Sequence, residues 1–363
     1  MRVCVNPAER YDERYADLSE LILLFLLTAH LLTMNLASAG PLVCIWLRIR
    51  EKETEQLASQ LGRSLAWFSV AAMIAGMVIG GVILLLPSSD PLWDALSRFP
   101  TDAYWNAGFE LLFSLVCLVV YASGWRLFGR HRWIHALVAL MSASNLLYHF
   151  PPLMTVIGKL AANPAWTSEP IIDRSVSLQL MARENAISLS VHFAFASLAV
   201  AGVTTLLLLA RRGEPILESA EGRCLARVIG GIVFGATISQ LPVGAWVLAT
   251  MSPASRGAVM GTSPIASLMF FAGVLLAILL MGRLLAITLG EVCQAEIRRV
   301  LLLLLLTTLM MTATMRYSRA SHVGASTQPA SSASSFSSSL DSGSFCTSSN
   351  GPPGSLLSLI RSP

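Results

Sequence analysis

Among the titratable side chains inside long apolar runs are His30, Glu110, His149 and His192. Ionisable groups at membrane depth are costly, and they face a cavity, a partner or a cofactor. A neutral imidazole whose second nitrogen is held by a neighbour suits axial ligation of a non-covalent haem, and methionine is a common second ligand. His30 and His192 are therefore candidate ligands to the iron of a haem b. Met34 lies one helical turn beyond His30, and Met315 ends the last apolar run. The same histidines would equally serve as hydrogen bonds between helices. His149, beside Tyr148 and before Pro151 and Pro152, suits a structural anchor as well as a cofactor contact.

Glu110 is the candidate catalytic acid. Burial penalises a charged carboxyl, which suits a proton relay or a bond to a quinol hydroxyl; a neutral carboxyl bonded to a neighbouring helix is the alternative. Gln240, in QLPVGAW, is a candidate hydrogen-bond partner for a quinone headgroup, the alternative being a proline kink satisfied by its neighbours.

The elements that must position these groups follow from composition. The chain is 54% hydrophobic and only 13% charged, with a mean hydropathy of +0.65, too apolar for a surface solvated all round. Its charges cluster between apolar runs, so the bilayer is the solvent. A crossing helix takes about 20 apolar residues. Eight runs approach this, at roughly 21–47, 64–86, 103–125, 133–150, 186–210, 228–250, 264–282 and 300–315. No strand-like alternation is present, so the expected fold is an all-α polytopic bundle of eight transmembrane helices. The expected division is a polar segment 1–20, a four-helix unit 21–160, a linker 161–185, a second four-helix unit 186–316 and a disordered Ser-rich tail 317–363.

Lysine and arginine crowd the loops after runs 1, 3, 5 and 7, for example Arg48, Arg50 and Lys52, or Arg211, Arg212 and Arg223; the loops after runs 2 and 6 hold one arginine each, Arg98 and Arg256. The positive-inside rule then places both termini outside an inner or plasma membrane. His131 and His135, in RHRWIH, read as an interfacial anchor at the basic side. The first run is too long for a signal-peptide core and reads as a retained span. Six cysteines form no CxxC or CxxCH, so covalent c-type haem and a thiolate zinc site lack their ligand spacing. A net charge of +4 with arginines beside apolar runs gives no support for nucleic-acid binding. Nothing matches a nucleotide loop or a hydrolase elbow.

The halves also echo each other at an offset of about 160 residues. His30 and Gly40 answer to His192 and Gly202, GRSLA to GRCLA, and Ala72, Gly76, Gly80 to Gly231, Gly235, Ser239. Two tandem four-helix repeats would be related by an axis along the membrane normal, with the small-residue stripes at their packed centres.

The succession AHLLTMNLASAGPL, GRSLAWFSVAAMIAGM, WNAGFELLFSL, VHFAFASLAVAG and QLPVGAWVLATM distantly resembles b-haem quinol-linked membrane subunits such as those of cytochrome bd oxidase subunit I. The resemblance implies that His30 and His192 ligate haem, that Met34 or Met315 supplies a methionine, and that Glu110 is the outer-side acid. It also implies quinone and a redox partner subunit as partners within the lipid bilayer. The resulting expectation is a b-haem electron-transfer subunit. A transporter or channel on the same repeats and a non-catalytic subunit of a membrane complex are the rival classes.

Overall fold

The computed structural model describes residues 7–50, 56–86, 90–125 and 131–326, with side chains placed between 18 and 318. Its helices are α1 (Pro7–Arg50), α2 (Leu57–Leu84), α3 (Asp90–Ser97), α4 (Thr101–Ser123), α5 (Arg132–Tyr148), α6 (Phe150–Ala162), α7 (Arg174–Met181), α8 (Glu184–Ala210), α9 (Glu214–Glu218), α10 (Ala220–Thr250), α11 (Pro253–Gly257), α12 (Pro264–Leu289) and α13 (Gln294–Ser326). No strand occurs among the described residues. The chain divides into Met1–Ala325, which holds all the packing below, and Ser326–Pro363, which lies outside the described residues apart from Ser326. The expected tail falls mostly there. Its first ten residues do not follow the expectation: α13 continues past Met315 to Ser326 because no proline or glycine interrupts it before Gly324.

Among the described residues, seven helices are long and apolar enough to cross a membrane: α1 from Leu18, α2, α4, α8, α10, α12, and α13 as far as Ser318. The expected run 133–150 is the shorter α5, of 17 residues. It stops where it does because Pro151 and Pro152 offer no N–H to the carbonyls of Leu147 and Tyr148, and the chain resumes as α6.

The ends of the bundle bear on the number of traverses. Arg316, late in α13, donates through Nε and Nη2 to both carboxylate oxygens of Glu20, early in α1, at 2.5 Å each. First and last helices that end side by side call for an even number of crossings, and α5 would supply an eighth beside the seven. It runs antiparallel along α4, with His135 at Tyr121, Ser142 at Ser114 and Asn145 at Glu110. In a variant stripped of its native cysteines, cysteines at Leu18 and Tyr317 should react with an impermeant maleimide from the same side of sealed vesicles. Reaction from opposite sides would reduce the crossings to seven.

The main core is built from close helix pairs. α1 packs on α2 and α8 packs on α10, and in each pair a glycine permits the approach: a Cβ on Gly40 would meet Ser69 Oγ at 2.0 Å, and one on Gly202 would meet Val233 Cγ2 at 2.2 Å. α1 also packs on α8, where the Ser197 hydroxyl donates to the Asn35 amide oxygen at 2.8 Å across 162 positions of sequence. The stripe Gly76–Gly80 faces α1. Its expected counterpart does not face a neighbour in the same way, since a Cβ on Gly235 would meet nothing within 4 Å, and α10 instead turns Gly230 to Ile287 of α12.

A second, smaller core lies between α3, α6 and α7, around Phe99, Val156, Leu160, Ile172 and Leu180. Arg98 ties it together by donating to the carbonyls of Pro164, Thr167 and Glu169. α7 is capped by Asp173, whose carboxylate accepts from the Val176 N–H at 2.8 Å and the Ser175 hydroxyl at 2.9 Å. These bonds hold the carboxyl below its usual value of about 4. A depressed folded value means the stabilisation is present above the unfolded value and is lost as pH falls through the folded one. In hydrogen exchange at pH 7, the Val176 and Ser177 amides should therefore exchange several-fold faster in Asp173→Ala. That difference should close in acid that protonates the carboxyl.

Candidate functional site

α1 and α8 each carry one histidine into the bundle. His30 and His192 both sit five residues before the members of the Asn35–Ser197 contact, so they lie at one depth on two helices in contact. The His30 ring rests against the small-residue stripe of α2. Its Nδ1 is 2.9 Å from the Gly76 carbonyl oxygen, and a Cβ on Gly80 would come within 3.0 Å of its Cε1. A carbonyl only accepts, so Nδ1 carries the proton and Nε2 keeps the lone pair. Met34, one turn on, also lies in this groove, with Sδ 2.6 Å from the Cβ position of Gly76. Its thioether is thereby committed to the α1–α2 seam.

His192 is different. Its Nδ1 is buried and has no hydrogen-bond partner among the described residues. Buried polar atoms are nearly always paired, which singles this nitrogen out. Gly244 of α10 faces the ring, its Cβ position 3.9 Å from His192 Cε1. Gln240 is one turn earlier on the same face of α10, half-buried.

Glu110 and His149 form a second pair. Glu110 Oε2 lies 3.4 Å from His149 Nδ1, and both side chains are partly exposed, at 35% and 40%. The α4–α5 seam beneath them is tied by Asn145, whose Nδ2 donates to the Glu110 carbonyl at 2.9 Å and to Ser114 Oγ at 2.8 Å, and by Ser142 donating to the Ser114 carbonyl. Hydrogen bonds of this kind hold helices together in lipid.

Met315 is not brought to the histidines. It immediately precedes Arg316 and so sits at the level of Glu20, about 15 Å along the axis from His30 at 1.5 Å per residue. Nor is His135 a surface anchor. It is fully buried, stacked on Tyr121 with ring centroids 4.0 Å apart, and its Nε2 is 2.8 Å from the Tyr121 carbonyl. Rotation of α5 turns this residue inward while Trp133 and His131 remain exposed, and such rotation is not readable from an apolar helix with an aromatic at its end.

Sequence reasoning missed the backbone oxygen of Gly76, because a carbonyl acceptor has no signature of its own. The glycine spacing could have found it, since only a helix without side chains at Gly76 and Gly80 lets an imidazole reach the main chain. Among the described residues no three His, Cys, Asp or Glu side chains lie together as a metal site. A metal held by two imidazoles here would have to bring most of its own ligands, as porphyrin iron does.

No protein-family model and no curated protein matches the chain. Among solved structures, it is similar to a chain of the bd oxidase from Geobacillus thermodenitrificans, at a TM-score of 0.59 and 13% identity over 84% of this chain and 86% of that one. The shared feature at that identity is the fold, and the chain is a polytopic helical membrane protein with a distant structural resemblance to a bd oxidase.

Proposed function

We propose that the chain is a multi-pass inner-membrane subunit that holds b-type haem through histidines of α1 and α8 and passes electrons within a quinol-linked respiratory complex. The observation that carries this reading is the buried, unpartnered Nδ1 of His192, at the depth of a His30 whose tautomer is set by the Gly76 carbonyl. A carbonyl bond to one imidazole nitrogen is the usual support for ligation through the other. The rival reading, in which both histidines simply bond helix to helix, accounts for His30 and leaves His192 unexplained.

His30 would offer Nε2 from the α1–α2 seam and His192 its imidazole from the side of α10, and Gly80 and Gly244 keep bulk away from the two rings. When bound, such a haem supplies a one-electron redox centre. Met34 fills the groove beside His30, and Met315 has no part in ligation. Gln240 offers its amide to a quinone headgroup from the face of α10 that also presents Gly244, and Glu110 with His149 exchanges a proton at the outer ends of α4 and α5. The fold similarity to a bd oxidase chain supports respiratory membership. Protein purified from haem-replete membranes should carry extractable b-type haem; haem-free protein under those conditions would overturn the proposal.

A further inference from the structure

The α1–α2 and α8–α10 pairs close in one register. Ten residues separate His30 from Gly40 on α1, and ten separate His192 from Gly202 on α8; eleven separate Ser69 from Gly80 on α2, and eleven separate Val233 from Gly244 on α10. Gly40 meets Ser69 as Gly202 meets Val233, and the His30 ring meets Gly80 as the His192 ring meets Gly244. In both pairs Cε1 is the ring atom nearest the glycine, so the two imidazoles present the same edge to the facing helix. Position for position, Gln240 stands on α10 where Gly76 stands on α2, about one turn before the glycine under the ring.

At Gly76 no side chain stands between the imidazole and the main chain, and His30 Nδ1 reaches the carbonyl oxygen at 2.9 Å. At Gln240 a side chain occupies that approach. The His192 ring stands 3.9 Å from the Gly244 Cβ position, against 3.0 Å for His30 and Gly80, and its buried Nδ1 has no hydrogen bond among the described residues. The seam has room for the glutamine. A Cβ on Gly76 would point at Met34, 2.6 Å from its Sδ, whereas the corresponding residue on α8 is Ala196, one turn from His192. A large residue of α1 faces a small one of α2, and a small residue of α8 faces a large one of α10. That exchange directs the half-buried Gln240 side chain into the α8–α10 seam. Its amide makes no hydrogen bond among the described residues. Residues one turn apart have Cβ atoms about 5–6 Å from each other, a span that a glutamine side chain covers.

We propose that Gln240 is a positioning residue for His192. Its side-chain oxygen accepts from the His192 Nδ1–H, as the Gly76 carbonyl does for His30, and so leaves the other ring nitrogen of His192 to the haem. The amide nitrogen of Gln240 remains to donate to a quinone oxygen. This inference rests on the haem reading of His192.

The test uses full-length protein purified from haem-replete membranes. It reads the rate of haem transfer to excess apomyoglobin and the midpoint potential of the b-type centre. Gln240→Met keeps the length of the side chain and removes the acceptor. It should speed transfer about ten-fold or more, since loss of such a support lowers affinity about 10–100-fold, and it should raise the potential, because an imidazole without its acceptor donates less to ferric iron. Gln240→Glu keeps an acceptor, and Gln240→Gly opens the main-chain carbonyl of that position to the ring as at Gly76; both should stay within about two-fold of wild type. An apolar side chain in place of an unbonded, half-buried amide costs little stability, and Gln240→Leu takes the place of Gln240→Met if the latter is not monodisperse. A transfer rate and potential unchanged in Gln240→Met would overturn the proposal and leave the haem reading standing. Equal acceleration in the methionine, glutamate and glycine variants would also overturn it, by assigning the effect to packing. Wild type without haem would overturn the haem reading and this proposal with it.

Discussion

Gly202→Leu should abolish recovery of monodisperse protein in mild detergent, with Gly40→Leu close behind. A Cβ at Gly202 would already stand 2.2 Å from Val233 Cγ2, and three further carbons would have to displace a fully buried, β-branched side chain with one preferred rotamer in a helix. At Gly40 the obstacle is Ser69, buried and bonded to the Leu65 carbonyl at 3.0 Å. Overpacking of this kind costs about 1–3 kcal/mol or more, and α8–α10 is one of the two most extensive helix pairs in the bundle. Val233→Ala should partly rescue Gly202→Leu, because it removes the carbon that clashes. Gly235→Leu, on the same helix as Val233, should be tolerated, because nothing lies within 4 Å of its Cβ position. The readout is size-exclusion recovery and thermal midpoint in detergent. Equal losses at positions 202 and 235 would contradict the packing described here.

The second large effect concerns Gly80. A leucine there would drive into the His30 ring, whose Cε1 is 3.0 Å from the Cβ position, and would pull Nδ1 off the Gly76 carbonyl. Loss of such a supporting bond typically lowers metal affinity about 10–100-fold. Gly80→Leu should therefore lower haem occupancy by that order while helical content holds, and Gly81→Leu, where a Cβ meets nothing within 4 Å, should not. If haem occupancy falls equally in both, the imidazole–carbonyl contact is not what orients the ligand.

Much of this architecture is legible in the sequence because the bilayer imposes it. Apolar runs of sufficient length become helices, and seven of the eight expected runs do so with ends shifted mainly where polar turns extend them. α10 starts at Ala220 rather than 228 because Ser219 caps the Gly222 N–H at 3.0 Å, which draws the charged GRCLAR turn into the helix. The eighth run is present but truncated by Pro151 and Pro152, whose effect on the ladder is local and could have been anticipated. The cap of α3, α6 and α7 was not legible, since its short helices bury only one face against one another and carry no long apolar run.

The site was legible to the extent that titratable residues in apolar runs are rare. His30, His192, Glu110 and His149 could be picked out on that ground alone. How they pair was not. Glu110 meets His149 because α5 lies antiparallel to α4, and His30 meets Gly76 because two glycines happen to face α1. The echo Gly231–Gly235–Ser239 looked equivalent to Gly76–Gly80 in composition, but small residues do not say which neighbour they face. Met315 looked suitable by chain position, and the Arg316–Glu20 pair puts it at the wrong depth.

The central claim is that the imidazoles of His30 and His192 hold haem. The decisive measurement is the reduced-minus-oxidised absorption spectrum of detergent-purified wild type beside His30→Ala and His192→Ala, each checked for retained helical content and monodispersity. The account predicts a b-type difference spectrum in the wild type that is lost or reduced at least ten-fold in both variants. A wild-type spectrum without haem, from haem-replete membranes, or a b-type signal that survives both substitutions would contradict it.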